Sequence, residues 1–339
     1  MRARTIGLFA LVVGLGAAAG LTAFGQPTPS KPTWLYGHDL RVRKGGTTDF
    51  NAETPKVGIE FFKDEPAGAL VAVTESGSLA VLPVVPVSAD GEKKATWLFG
   101  HDMRARKASE EKFSKETTKY GVEVYKDTAT GKILYISEKG YPAFADAPQS
   151  FVSGSEKEAE WHHALVLKVR SPDQSEFNEK TPKFGVEVFK DGNTGGLVYI
   201  SETGSISTAA SPGTPVAKNS VKPPTALYGL ELRVRKADEP NFEKDKTPHY
   251  GVEVFKDENA GVLIYVSQSG SIATVPVPMT DLKSNKGVKW THAMTLKARP
   301  SGVKEFAKAA KFGVEVFQDN NSGYLVFISE TGAIAVLAK

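Results

Sequence analysis

Along the chain, short runs of alternating apolar and polar residues are interrupted at regular intervals by glycine. The sharpest run is Gly-Val-Glu-Val followed by an aromatic residue, which begins at Gly121, Gly185, Gly251 and Gly313, with a relaxed copy at Gly58. Successive copies lie 63, 64, 66 and 62 residues apart, and nineteen residues after each comes a second glycine, at Gly77, Gly140, Gly204, Gly270 and Gly332. Recurrence of this kind inside one chain marks tandem units. Upstream in each unit, an aromatic-rich segment begins near Trp34, Trp97, Trp161, Leu227 and Trp290 and ends at Arg43, Arg106, Arg170, Arg235 and Arg299. Its apolar-basic alternation, as in Leu40-Arg41-Val42-Arg43, reads as a first strand, and the Gly-Val-Glu-Val segment reads as a second.

Between these strands lies a polar connection with one phenylalanine: Phe50, Phe113, Phe177, Phe242 or Phe306. A short helical turn fits there, and Thr-Pro at Thr54-Pro55, Thr181-Pro182 and Thr247-Pro248 would end it, since the residue before proline avoids the helical region. The second strand closes at Asp64, Asp127, Asp191, Asp257 and Asp319. Gly68, Gly131, Gly195, Gly261 and Gly323 then suit a turn with a positive backbone angle. A third strand follows, as at Leu197-Val198-Tyr199-Ile200-Ser201, and the second glycine turns it into a fourth, as at Ser271-Ile272-Ala273-Thr274-Val275.

The fold class is therefore all-β: five four-stranded antiparallel repeats, spanning residues 32–83, 94–146, 159–209, 224–276 and 288–339. A meander of about fifty residues buries too little surface to stand alone without disulfides or metal, and the chain has no cysteine. The second strand carries Val122 and Val124 on one face and Tyr125 on the other, as expected of a sheet held between neighbours. Such sheets repeated radially make a five-bladed β-propeller. The alternative is an open row of stacked or tethered units, which the Pro-, Ser- and Lys-rich connections would allow. The chain opens on a first strand and closes on a fourth, so its two ends do not jointly complete a blade. In repeat number and strand content the chain is similar to five-bladed propeller lectins of the tachylectin kind, with no lectin motif matched residue for residue.

Arg2 and Arg4 precede an uncharged run from Thr5 to Gly25, the order of an export signal, with Ala23-Phe24-Gly25 as the cleavage site. Residues 1–25 are expected to be a signal peptide, or else an uncleaved anchor. Location is accordingly exported: periplasmic, cell-surface or secreted. After cleavage no membrane span is expected. The formal net charge of +3 falls near balance once Arg2 and Arg4 are gone, which is not the footprint of a nucleic-acid binder.

The glutamates Glu60, Glu123, Glu187, Glu253 and Glu315 stand mid-strand between apolar residues, so they must be paired, hydrated or protonated. The five arginines that end the first strand are the natural partners, in a bidentate bridge repeated once per unit. The rival reading is a ring of carboxylates near a central channel. Candidate ligand-contacting residues are Trp34, Trp97, Trp161 and Trp290, whose rings suit stacking on a sugar, and His38 and His101, which occupy equal places in the first two units. The Asp257–Gly261 and Asp319–Gly323 loops are turn punctuation and not calcium loops, which want further carboxylates. No metal, cofactor or nucleophile is indicated. The expected function is an exported, non-enzymatic binding module for surface glycans or another exported protein. The alternatives are a structural envelope or matrix component and, behind it, a propeller glycoside hydrolase.

Overall fold

The computed structural model describes residues 30–84, 93–147, 157–212, 220–243, 246–280, 282 and 285–339. The leader assigned to residues 1–25 lies outside them. Five separate four-stranded antiparallel sheets form, each with its strands in sequence order. In the second sheet these strands are Ala95–Ala105, Thr118–Asp127, Ile133–Ser137 and Pro142–Ala145. The fourth strands of successive sheets touch, and that of the fifth sheet touches that of the first. The chain is thus a closed five-bladed β-propeller with its fourth strands around the axis. Closure needs no shared blade: each sheet is built from one unit.

The apolar cores lie between blades. Val57, Ile59 and Phe61 of blade 1 join Tyr125, Leu134 and Ile136 of blade 2, while Phe62 and Val71 on the opposite face of blade 1 join Leu296, Val314 and Phe327 of blade 5. A second strand is therefore apolar on both faces because it serves two cores. Burying one such side chain stabilises by about 1.5–3 kcal/mol, and here that gain exists only while the neighbouring blade is in place.

A bulge sets which side chain faces which neighbour. Pairing of the first with the second strand slips by one residue between Trp34 and Tyr36, and the slip recurs between Trp97 and Phe99, Ala226 and Tyr228, and Trp290 and His292. In blade 3 it skips His162, so that Trp161 and His163 pair with consecutive residues. Residues two apart on a regular strand share a face, but the inserted residue sends them to opposite faces. Trp34 consequently meets Phe306 of blade 5, whereas Tyr36 reaches Asp127 of blade 2. In blade 4, Ala226 pairs with Phe255 as Trp34 pairs with Phe62. Leu227, aligned with the tryptophans by apolar character, is instead the bulged residue.

Two smaller features also differ from or refine the sequence pattern. The first strands stop at Arg41, Ala105, Lys168, Arg233 and Ala298, so the five arginines sit just beyond them, at the start of the connection. The helical turn in that connection is a 3-10 turn at Phe306–Lys308 in blade 5. The turn glycines Gly68, Gly131, Gly195, Gly261 and Gly323 do have positive φ, between 63° and 79°.

Candidate functional site: the five interblade clusters

Each arginine bridges to the glutamate of the following blade. Arg43 Nε lies 2.6 Å from Glu123 Oε1, and its Nη2 donates to Oε2 at 3.1 Å. The pattern continues with Arg106 to Glu187, Arg170 to Glu253 and Arg235 to Glu315, and Arg299 to Glu60 joins the last blade to the first. The remaining guanidinium nitrogen holds the arginine's own connection, as where Arg235 Nη1 donates to the Pro240 carbonyl at 2.6 Å. The bridge is thus repeated once per unit but runs between units.

The tryptophans complete these clusters. Trp34, Trp97, Trp161 and Trp290 each donate the indole N–H at 2.7 Å to the glutamate of their own blade. The phenylalanine of the preceding blade meets each indole edge to face, as Phe50 does Trp97 and Phe242 does Trp290. The guanidinium lies over that phenylalanine, 4.5–5.0 Å from its centroid at Arg43, Arg106, Arg170, Arg235 and Arg299. A carboxylate with three charge-assisted or indole bonds, capped by a cation on an aromatic face, is a rigid and internally satisfied unit. Even so, Trp34, Trp97 and Trp161 keep 43%, 37% and 36% of their surface open.

His38 and His101 do not face solvent. Their side chains are only 5% and 4% exposed and point at the aspartate of the next blade, with Nε2 3.2 Å from Asp127 Oδ1 and 3.3 Å from Asp191 Oδ1. As candidate ligand contacts they are withdrawn from any accessible surface. His163 and His292 do the same toward Asp257 and Asp64 from the paired place just after the bulge. Tyrosines add a second donor: Tyr36 to Asp127, Tyr135 to Asp191, Tyr199 to Asp257, and both Tyr228 and Tyr265 to Asp319. Burial opposes the charge on Asp191, yet neighbouring His101 and the Tyr135 hydroxyl outweigh it and pull the carboxyl down to about 2. Asp127 and Asp257 are likewise held below the ordinary range, against burial, by His38 and His163 respectively together with hydroxyl donors.

These aspartates read in the sequence only as turn punctuation. The available signal was their recurrence in all five units, since a turn alone would tolerate asparagine or glycine there.

The closing interface is the poorest in such bonds. Phe327 occupies the third-strand place of Tyr135, Tyr199 and Tyr265, and Pro66 removes the N–H that Ala129, Asn193, Asn259 and Asn321 offer to their aspartates. Asp64 Oδ1 has no hydrogen-bond partner among the described residues. Changing Phe327 to tyrosine should supply the hydroxyl and stabilise the ring by about 1 kcal/mol. An upward shift of the urea midpoint would show it; an unchanged or lowered midpoint would mean that the hydroxyl is not received.

The axis offers little chemistry. Its cavity of about 70 Å³ is lined by fourth-strand residues, among them Ala80, Phe144, Ser207, Thr274 and Val336, with no carboxylate. The five glutamates stand between blades, away from this channel, so they form no ring around it. Among the described residues no group of three or more His, Cys, Asp or Glu side chains is arranged to hold a metal ion. In the Asp319 loop, Asn321 bonds Asp319 through both its N–H and its amide, which closes the turn on itself.

No protein-family profile matches the chain, and no curated protein matches it. Two solved structures show a remote likeness. One is a catalytically inactive virginiamycin B lyase from Staphylococcus aureus with quinupristin, 12% identical over 90% of this chain and 74% of that one, with a TM-score of 0.12. The other is a selenomethionine-substituted virginiamycin B lyase from the same organism, 12% identical over 89% and 74%, with a TM-score of 0.11. Likeness at this level carries nothing about function.

Proposed function

We propose that the chain is an exported, non-catalytic binding scaffold whose repeated interblade aromatic clusters hold surface glycans or another exported protein. The observation that supports it is the combination of exposure and rigidity at Trp34, Trp97 and Trp161, whose indoles are pinned by a glutamate and a phenylalanine yet open over more than a third of their surface. A ring already fixed loses little freedom when it is covered, so more of the contact energy reaches binding. Each such site is small and weak, and presentation of several on one rigid ring gives avidity to a multivalent surface. Export rests on the charged-then-apolar leader pattern.

A structural envelope or matrix role is the second reading, favoured by the five Arg–Glu bridges and the His38, His101, His163 and His292 contacts to aspartate, all of which run between blades. A carbohydrate array separates the two. Binding that weakens stepwise as Trp34, Trp97 and Trp161 are changed to leucine, with melting followed in parallel, is the expected outcome. Silence across the array together with concentration-dependent self-association would favour the structural role, and turnover of a chromogenic glycoside would overturn the non-catalytic part.

A further inference from the structure

The interface between blades 3 and 4 departs from the other four. Its glutamate and arginine are present, with Arg170 Nε 2.6 Å from Glu253 Oε1 and Nη2 3.1 Å from Oε2. Phe177 lies beneath the guanidinium and is 37% exposed. The tryptophan place, however, is taken by the exposed Ala226, whose methyl group offers Glu253 no N–H and Phe177 no ring. The same interface holds a cavity of about 330 Å³ lined by Arg170, Gln174, Gly229, Glu253 and Asn285, which shares the ion pair with the empty tryptophan place but is not lined by Ala226 or Phe177. The corresponding cavity between blades 4 and 5 measures about 160 Å³ and is not lined by Trp290.

The same interface carries a second change. In blades 2, 3 and 5 a glutamate after the third strand accepts two backbone N–H groups, as Glu138 does from Gly45 and Gly121, and in blade 1 Glu75 accepts that of Ser301 from the preceding blade's loop. In blade 3 the residue equivalent to Gly45 is Pro172, which has no N–H to give. The acceptor in blade 4 is correspondingly the neutral Gln268, bonded to Gly251 alone of the two. The loop carrying Arg170 is therefore tied to blade 4 by one bond fewer.

We propose that this interface is a receptor for a flat aromatic ring bearing an N–H at its edge, of the indole class, seated where the other blades hold their own tryptophan. The four intact clusters show what the ligand would meet: a buried carboxylate oxygen to take the N–H, a phenylalanine edge-on to the ring and a guanidinium above it. The source is a free indole-type small molecule or the tryptophan side chain of another protein. The inference does not depend on glycan binding by Trp34, Trp97 and Trp161, because it uses the cluster that lacks tryptophan.

Calorimetric titration of the full chain with indole tests it. One saturable site is expected, weakened at least tenfold for 1-methylindole, which has lost the donor. Ala226→Trp should fill the place from within and lower indole affinity at least tenfold, with its fold checked by the melting curve. Trp290→Ala should raise the stoichiometry from one to two, and it remains a test even if Ala226→Trp does not fold. N-acetyltryptophanamide divides the sources: binding comparable to indole indicates a side chain, and its exclusion indicates a small molecule. No saturable heat up to about 10 mM indole, or indole binding undiminished in Ala226→Trp, would overturn the proposal.

Discussion

Exchange of Arg235 for methionine is expected to destabilise the ring by about 3–5 kcal/mol, the range for removing one partner of a buried ion pair. Arg235 is the most enclosed of the five, its side chain 7% exposed, and it meets Glu315 through Nε at 2.7 Å and Nη2 at 3.3 Å. Methionine fills part of the volume but leaves the Glu315 carboxylate in the interface with only the Trp290 N–H and the long backbone N–H bond of residue 235, 3.4 Å in the native chain, to answer it. Urea unfolding measures the loss. Most of it comes from the stranded charge, so Glu315→Gln in the same chain should recover a substantial part, and a double-mutant cycle isolates the coupling. Arg170→Met is the built-in comparison. That side chain is 22% exposed beside an open cavity, where solvent can reach the abandoned carboxylate, and the cost should fall to about 1–2 kcal/mol. Equal, small losses at both positions would mean that the bridges orient the blades without stabilising them.

Much of this was legible in the sequence. Period, strand alternation and turn glycines lead to five four-stranded units, and Val122, Val124 and Tyr125 lead to a sheet covered on both faces. The glutamate and arginine are both legible as partners, but which arginine serves which glutamate is not: in a tandem repeat, pairing within a unit and pairing with the next unit leave the same pattern. Only the three-dimensional ring, in which Arg299 reaches Glu60, removes that ambiguity. His38 and His101 were read as accessible because the aspartates that bury them belong to another unit, about ninety residues away in the chain. The absence of a tryptophan from blade 4 was obscured by the bulge, since Leu227 satisfies an apolar match that Ala226 does not.

The glycine that opens each Gly-Val-Glu-Val segment was also under-read, and it leads to the second large effect. Gly121 has no positive φ and forms regular strand, so nothing in its own backbone asks for glycine. A Cβ there would lie 1.9 Å from the carbonyl oxygen of Arg43 in the preceding blade, and at Gly185, Gly251, Gly313 and Gly58 the corresponding distances are 2.1, 1.9, 2.0 and 2.2 Å. The obstacle is main chain, which cannot rotate aside as a side chain would. Gly121→Ala must push the Arg43 loop off blade 2, and a loss of about 3 kcal/mol or more is expected, at the upper end for overpacking. Gly131→Ala gives the contrast: its φ is 72° and nothing lies within 4 Å of the added carbon, so only the backbone term of about 1–2 kcal/mol applies. Displacing the Arg43 carbonyl also pulls its guanidinium away from Glu123. Part of the alanine's cost should therefore already be spent in an Arg43→Met chain, and the two changes should combine to less than their sum. Strict additivity would show that the glycine and the ion pair hold the blades independently, and that the interface is a collection of separate contacts instead of one bracket.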